Sequence, residues 1–154
     1  MRKQAETAPP PLPARFGQQL GIVSQLYGGL IARLLEPHDL TYPQFMLLLH
    51  LARQGAPRRI SDMARAVELT QSAVTKAMQK FLNLGWVEIG QDARDGRNKP
   101  VQITALGQAQ LLAVQRSFGP AFSQLLEGWD PDRLERLIDD LALLSAQLQS
   151  MRRI

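Results

Sequence analysis

The chain has 154 residues, 45% hydrophobic and 21% charged, with a net charge of +4. This length suits one domain with a substantial core, and these fractions exclude wholesale disorder. With no cysteine there are no disulfides, thiolate metal sites or thiol-based sensing, and no apolar run approaches the roughly 18 residues that a bilayer span needs.

Residues 1–14 are polar and carry Pro9, Pro10, Pro11 and Pro13. No apolar segment follows the basic residues, so the expectation is a flexible or polyproline tail, neither signal peptide nor anchor, on a cytoplasmic protein. From Phe16 to about Leu35, apolar residues at Phe16, Leu20, Val23, Tyr27, Leu30 and Leu34 recur in steps of three and four, which predicts a helix with one buried stripe. Gly28 and Gly29 interrupt it and suggest close helix approach or a kink.

After a connector, Thr41 and Gln44 have the spacing of a capping box, with Pro43 tolerated in the first turn of a mostly buried second helix. Gly55, Ala56 and Pro57 end it. Ile60 to Val67 is a short helix with Ser61 as its expected cap, and Glu68 and Leu69 form a turn. Thr70 then caps a further helix that Gly85 stops. Two short helices joined by a tight turn are a helix-turn-helix.

Trp86 to Ile89 and Val101 to Ile103 alternate with period two, so Val87, Ile89, Val101 and Ile103 are expected on one buried face. The loop between them, Gly90 to Pro100, is a wing. Thr104 caps a long helix that bends near Gly119 and Pro120, and Asp130 with Pro131 starts the last helix. Its apolar stripe runs through Leu134, Leu137, Ile138, Leu141, Leu144, Leu148 and Met151. The fold class is therefore mainly α with a small β-hairpin: a winged helix-turn-helix over 41–104, with helices from both chain ends, 15–40 and 105–154, available for dimerisation.

Charge and helical phase point to one face. Residues 53–99 hold nine basic and five acidic groups, and the segments on either side are close to neutral. A local excess of this kind attracts a polyanion even when the whole chain is mildly basic. At about 100° per residue, Gln71, Ser72, Thr75, Lys76, Gln79 and Lys80 share one side of their helix, and Val74, Ala77, Met78 and Phe81 share the other. Amides, hydroxyls and ammoniums are the groups that pair with base edges and phosphates in a major groove. Arg59 and Ser61, at the start of the preceding helix, extend this candidate surface. On the wing, Arg94, Arg97 and Lys99 form a cationic rim, and a narrow minor groove favours an inserted Arg.

The run Asp92, Arg94, Asp95, Gly96, Arg97, followed by Val101, Ile103, Thr104 and Gly107, resembles the wing signature of the MarR family of transcription regulators. Leu69, Gln71, Ser72, Val74, Thr75, Leu82, Gly85 and Trp86 resemble that family's recognition helix and its exit. Asn98 stands where the family usually has a second arginine. The resemblance implies a homodimer whose first and last helices interlock, with two winged lobes on a pseudo-palindromic DNA operator. It makes Arg97 the minor-groove arginine and the outward helix residues the base readers. It also implies a small aromatic or phenolic effector bound between dimer helices and lobe, for which Tyr27, His38, Tyr42 and Trp86 are the candidate lining.

The expected function is a sequence-specific, double-stranded DNA-binding repressor that releases DNA when a ligand shifts the spacing of its lobes. The alternative is a winged helix that binds protein, which would need apolar residues on the outward face of the recognition helix. No enzyme is expected, because no nucleophile with a neighbouring His and acid is legible. With two histidines and no cysteine, neither a metal nor a cofactor is expected, although Glu36, His38 and Asp39 are metal-capable types.

Overall fold

Pro13 lies in the first turn of α1 (Leu12–Leu35), where a missing N–H leaves no hydrogen bond unmade. The helix therefore begins inside the segment expected to be tail. The structure is a computed structural model and describes residues 9–90 and 99–152, so the expectations for Arg94 and Arg97 lie outside the described residues. The chain divides into two compact units, one ending at Ser117 and the other starting at Phe118.

In the first unit, α1 leads through a 3-10 turn (Glu36–His38) and Asp39, in left-handed conformation at φ 52°, to α2 (Tyr42–Gln54). The capping box forms as expected: Gln44 N–H donates to Thr41 Oγ1 at 3.4 Å and Thr41 N–H donates to Gln44 Oε1 at 3.1 Å. Gly55, at φ 60°, ends the helix. α3 (Ile60–Ala66) starts from Arg59, not Ser61, and has no side-chain cap. Ser61 is already inside the first turn, where its hydroxyl cannot play the N-cap role. Glu68, at φ 56°, makes the turn into α4 (Gln71–Asn83), whose cap is Thr70 accepting from Ala73 N–H at 3.2 Å.

The end of α4 is a Schellman motif. Gly85 N–H donates to Leu82 O and Trp86 N–H donates to Phe81 O, with Gly85 at φ 72°. Strands β1 (Val87–Ile89) and β2 (Val101–Ile103) pair antiparallel, Val87 opposite Ile103 and Ile89 opposite Val101. Gly90 N–H donates to Pro100 O and closes the hairpin at the base of the wing. Arg58 adds a one-residue third strand, exchanging both backbone hydrogen bonds with Val101. Of the four residues expected on a buried face, Val87 and Val101 are buried and Ile103 is half-buried, but Ile89 is 46% exposed. It stands at the last rung of the hairpin, opposite Val101 and next to Gly90.

α5 (Ala105–Ser117) is fastened to the exit of α4 by Thr104. Its hydroxyl donates to Gly85 O at 2.7 Å and accepts from Gly107 N–H at 3.0 Å, and its own N–H donates to Trp86 O at 2.9 Å. A Cβ on Gly107 would lie 2.1 Å from Trp86 O, so only hydrogen fits there. Around this junction lies the core: Ile31, Leu35, Phe45, Leu47, Leu48, Leu51, Met63, Val74, Met78, Phe81, Val101, Leu111 and Val114. Trp86 stacks on Phe81 at 5.7 Å between ring centroids.

The stripe expected on α1 is buried only in part: Leu20, Leu30 and Leu34 are half-buried. Phe16, Val23 and Tyr27 are exposed, and only Ile31 and Leu35 of this helix enter the core. Gly28 and Gly29 sit in unbroken helix, and a Cβ at either would meet no crowding among the described residues, so the close approach expected there is not found.

The second unit comprises α6 (Gly119–Leu125) and α7 (Pro131–Met151). Phe118 stacks with Phe122, and Asp130 caps α7 by accepting from Arg133 N–H at 2.9 Å, as its sequence position suggests. No residue of α7 is buried: Leu137, Ile138, Leu141, Leu148 and Met151 are all exposed.

Candidate nucleic-acid interface

α3 and α4 pack against each other, and α4 also touches β1. Val74, Ala77, Met78 and Phe81 are the buried side of α4, so its other side is turned to solvent by the same packing that holds the helix. Gln71, Ser72, Thr75, Lys76 and Gln79 are all exposed there, as the helical phase predicts. Apart from the methyl of Ala73, this surface is polar.

Two of these side chains have local partners. Thr75 Oγ1 donates to Gln71 O at 2.8 Å, which uses the hydroxyl's only proton and leaves it as an acceptor. Gln79 Nε2 donates to Asn83 Oδ1 at 3.1 Å, so its amide is oriented along the helix with the carbonyl free to turn outward. Arg59 is exposed at the start of α3, and Ser61 is half-buried on the wall of an open hollow of about 500 Å³ that it shares with Ala64, Arg65, Leu69 and Gln71. Lys99 is exposed beside β2.

Lys80 departs from the ridge. Its side chain is 28% exposed, and its ammonium turns back to the main-chain carbonyl of Asp39, to Asp39 Oδ2 at 3.2 Å and to Gln44 Oε1 at 3.4 Å. Periodicity placed Lys80 at the edge of the polar arc. It could not reveal an acceptor cluster 41 residues away in sequence. Arg65 on α3 is a further cation at this surface, outside the helical phase of α4. It sits on the same hollow as Ser61 and Gln71 and pairs with Asp62 at 2.5 Å.

None of the four residues suggested as effector lining lines either of the two hollows beside α4. Trp86 belongs to the core. His38 Nε2 lies 2.8 Å from Ser117 Oγ, whose proton goes to Val114 O, so the imidazole donates and the hydroxyl accepts. Tyr27 and Tyr42 are neighbours: burial first, and then the nearby Tyr42, push the Tyr27 phenol above its ordinary pKa. In α2, burial and the cations of Arg58 and Arg53 hold the His50 imidazole below its usual value. Among the described residues no three His, Asp or Glu side chains form a metal-binding group, and no helix is long and apolar enough to cross a membrane.

Residues 38–98, from the connector through α4 and β1 into the wing, match the MarR family. In this stretch the helix-turn-helix and the hairpin strand that follows are similar to those of the MarR family. The HTH-type transcriptional regulator SarZ of Staphylococcus haemolyticus (strain JCSC1435) is 25% identical over 109 residues, 70% of this chain and 71% of SarZ. Among solved structures, a mutant MarR from E. coli superposes with a TM-score of 0.73 at 23% identity, covering 90% of this chain and 98% of that one. A MarR regulator from Methanosarcina mazei Go1 does so at 0.74 and 16%, covering 90% and 99%. The likeness extends to the mutant E. coli MarR complexed with operator DNA, with a TM-score of 0.65 at 23% identity over 84% of this chain and 93% of that one. The MarR fold thus accounts for nearly the whole chain, including the helices outside the matched segment.

Proposed function

We propose that this chain is a sequence-specific double-stranded DNA-binding transcription repressor that acts as a homodimer on a pseudo-palindromic operator. The observation that carries the reading is the solvent-facing ridge of α4. Gln71, Ser72, Thr75, Lys76 and Gln79 supply donors and acceptors for base edges and phosphates, and the methyl of Ala73 suits a thymine methyl. A docking face for a protein partner would instead need large apolar side chains, and the exposed residues from Gln71 to Gln79 include none. The solved complex of a MarR relative with operator DNA supports the same reading.

In this reading residues 41–104 are the DNA-binding lobe, with Arg59, Ser61 and Lys99 flanking the ridge, Arg94 on the cationic rim of the wing and Arg97 entering a minor groove. The uncovered apolar residues of α1 and α7 support dimerisation through 15–40 and 105–154, since exposed stripes of this size invite a symmetric partner. Two ridges then meet half-sites about 34 Å apart. Release follows when a small aromatic or phenolic effector favours a lobe spacing that the operator does not accept. Tyr27, His38, Tyr42 and Trp86 are the proposed lining for it, Trp86 from the buried side. The protein acts by binding and not by turnover.

A selection from random duplexes tests the reading. One palindromic motif should be enriched, its affinity should fall steeply with salt, and Arg97→Ala should weaken it by about tenfold or more. Failure to enrich any duplex would favour the protein-binding alternative.

A further inference from the structure

Lys80 is a cation on the recognition helix, yet nothing in its surroundings suits it to a phosphate. An ammonium has three N–H donors and no acceptor. Here three acceptors meet it: the Asp39 carbonyl, Asp39 Oδ2 and Gln44 Oε1. Gln44 Oε1 also takes the Thr41 N–H, so the capping box of α2 holds this acceptor in place before Lys80 arrives. Asp39 is similarly fixed: it closes the 3-10 turn in left-handed conformation, which presents its carbonyl and carboxylate on the same side as Lys80. The stem of Lys80 lies along a cleft of about 410 Å³ walled by Pro43, Leu47 and Ala77. A phosphate could reach the ammonium only by displacing one of these partners.

The connector that receives Lys80 is tied on its other side as well. His38, next to Asp39, donates to Ser117 in the last turn of α5, and Ser117 is held by Val114 O. One short segment thus links the C-terminal half of α4 to the end of α5.

We propose that Lys80 is a positioning residue, a latch that holds the orientation of the recognition helix against the Asp39 connector, and that it makes no contact with DNA. This rests on the DNA-binding reading above. The mechanism separates two properties that a phosphate contact would combine. A phosphate-bound lysine contributes to affinity and also to its salt dependence, whereas a latch contributes to affinity alone.

The test uses the full chain and the duplex recovered by selection, titrated by fluorescence anisotropy at several salt concentrations. Lys76→Ala, on the exposed ridge, should flatten the plot of log affinity against log salt by about 0.9 per protomer. Lys80→Met keeps the apolar stem and should weaken binding about threefold to tenfold with the slope unchanged. Asp39→Asn tolerates the left-handed backbone and should weaken binding about twofold, although removing a negative charge beside DNA would strengthen it if long-range attraction were all that mattered. A Lys80→Met slope that falls as far as that of Lys76→Ala would overturn the latch. So would tighter binding by Asp39→Asn, or unchanged affinity in both variants. If the wild-type chain binds no duplex, the DNA reading itself falls and the latch with it, an outcome visible before any variant is compared.

Discussion

α4 and α7 both carry one apolar stripe and one polar face, yet four residues of α4 are buried and none of α7 is. The difference lies in what surrounds them. α4 is packed by α3 and β1 within its own unit, whereas in α7 Leu134 and Leu144 are no more than half-buried and the rest of the stripe is exposed. Amphipathic periodicity therefore reports which side of a helix avoids water, and says nothing about whether the covering surface belongs to the same molecule.

Substitutions in the two regions turn this contrast into measurements. The largest effect should come from Phe81→Ala, which removes a fully buried ring and its stack with Trp86 and should cost about 3–5 kcal/mol by urea unfolding. Leu141→Ala on α7 should cost under about 0.5 kcal/mol in dilute protein, where a half-exposed side chain has little to lose, and more as concentration rises. Equal losses at all concentrations would erase the distinction between the helices. Gly107→Ala should follow at about 3 kcal/mol, because the new methyl meets a backbone carbonyl that cannot swing aside. A near-neutral result there would mean that α5 is not clamped to the exit of α4.

Smaller effects sharpen the account of α4 and its support. Thr70→Ala removes the cap on Ala73 N–H and should cost about 1 kcal/mol, read by the same unfolding midpoint. His50 should give a shallow pH dependence. Its folded-state pKa lies below the unfolded value, so the unfolded chain binds the proton first and stability falls as pH drops below about 6.5, levelling off once the folded-state pKa has been passed. His50→Gln should flatten that part of a stability profile measured between pH 5 and pH 8, and an unchanged profile would remove His50 from the account.

Much of the fold was legible because its signals are local. Thr41 with Gln44, Thr70, Gly85 and Asp130 each act within a few residues of themselves, and each ends or begins the element expected of it. The ridge of α4 was legible for a related reason, since one buried face defines the other. What the sequence hid depends on partners distant along the chain. The single rung between Arg58 and Val101 is too short for any period, Ile89 is exposed at the last rung of a three-residue strand, and Lys80 is drawn from the ridge by Asp39. Ser61 is a good capping residue that stands two positions too late, and Arg59 starts the helix without a side-chain cap.

Between α4 and α5 the Thr104 bridge and the bare Gly107 leave no slack, so the two helices are geared like a crank and its shaft. α5 has 13 residues and is about 20 Å long, so moving its far end by roughly 1 Å tilts it by about 3°. The Thr104 hydrogen bonds and the close approach at Gly107 would carry that tilt to the exit of α4 and the start of β1. On the proposed DNA-binding reading, such gearing carries a small push on α5 to the ridge of α4.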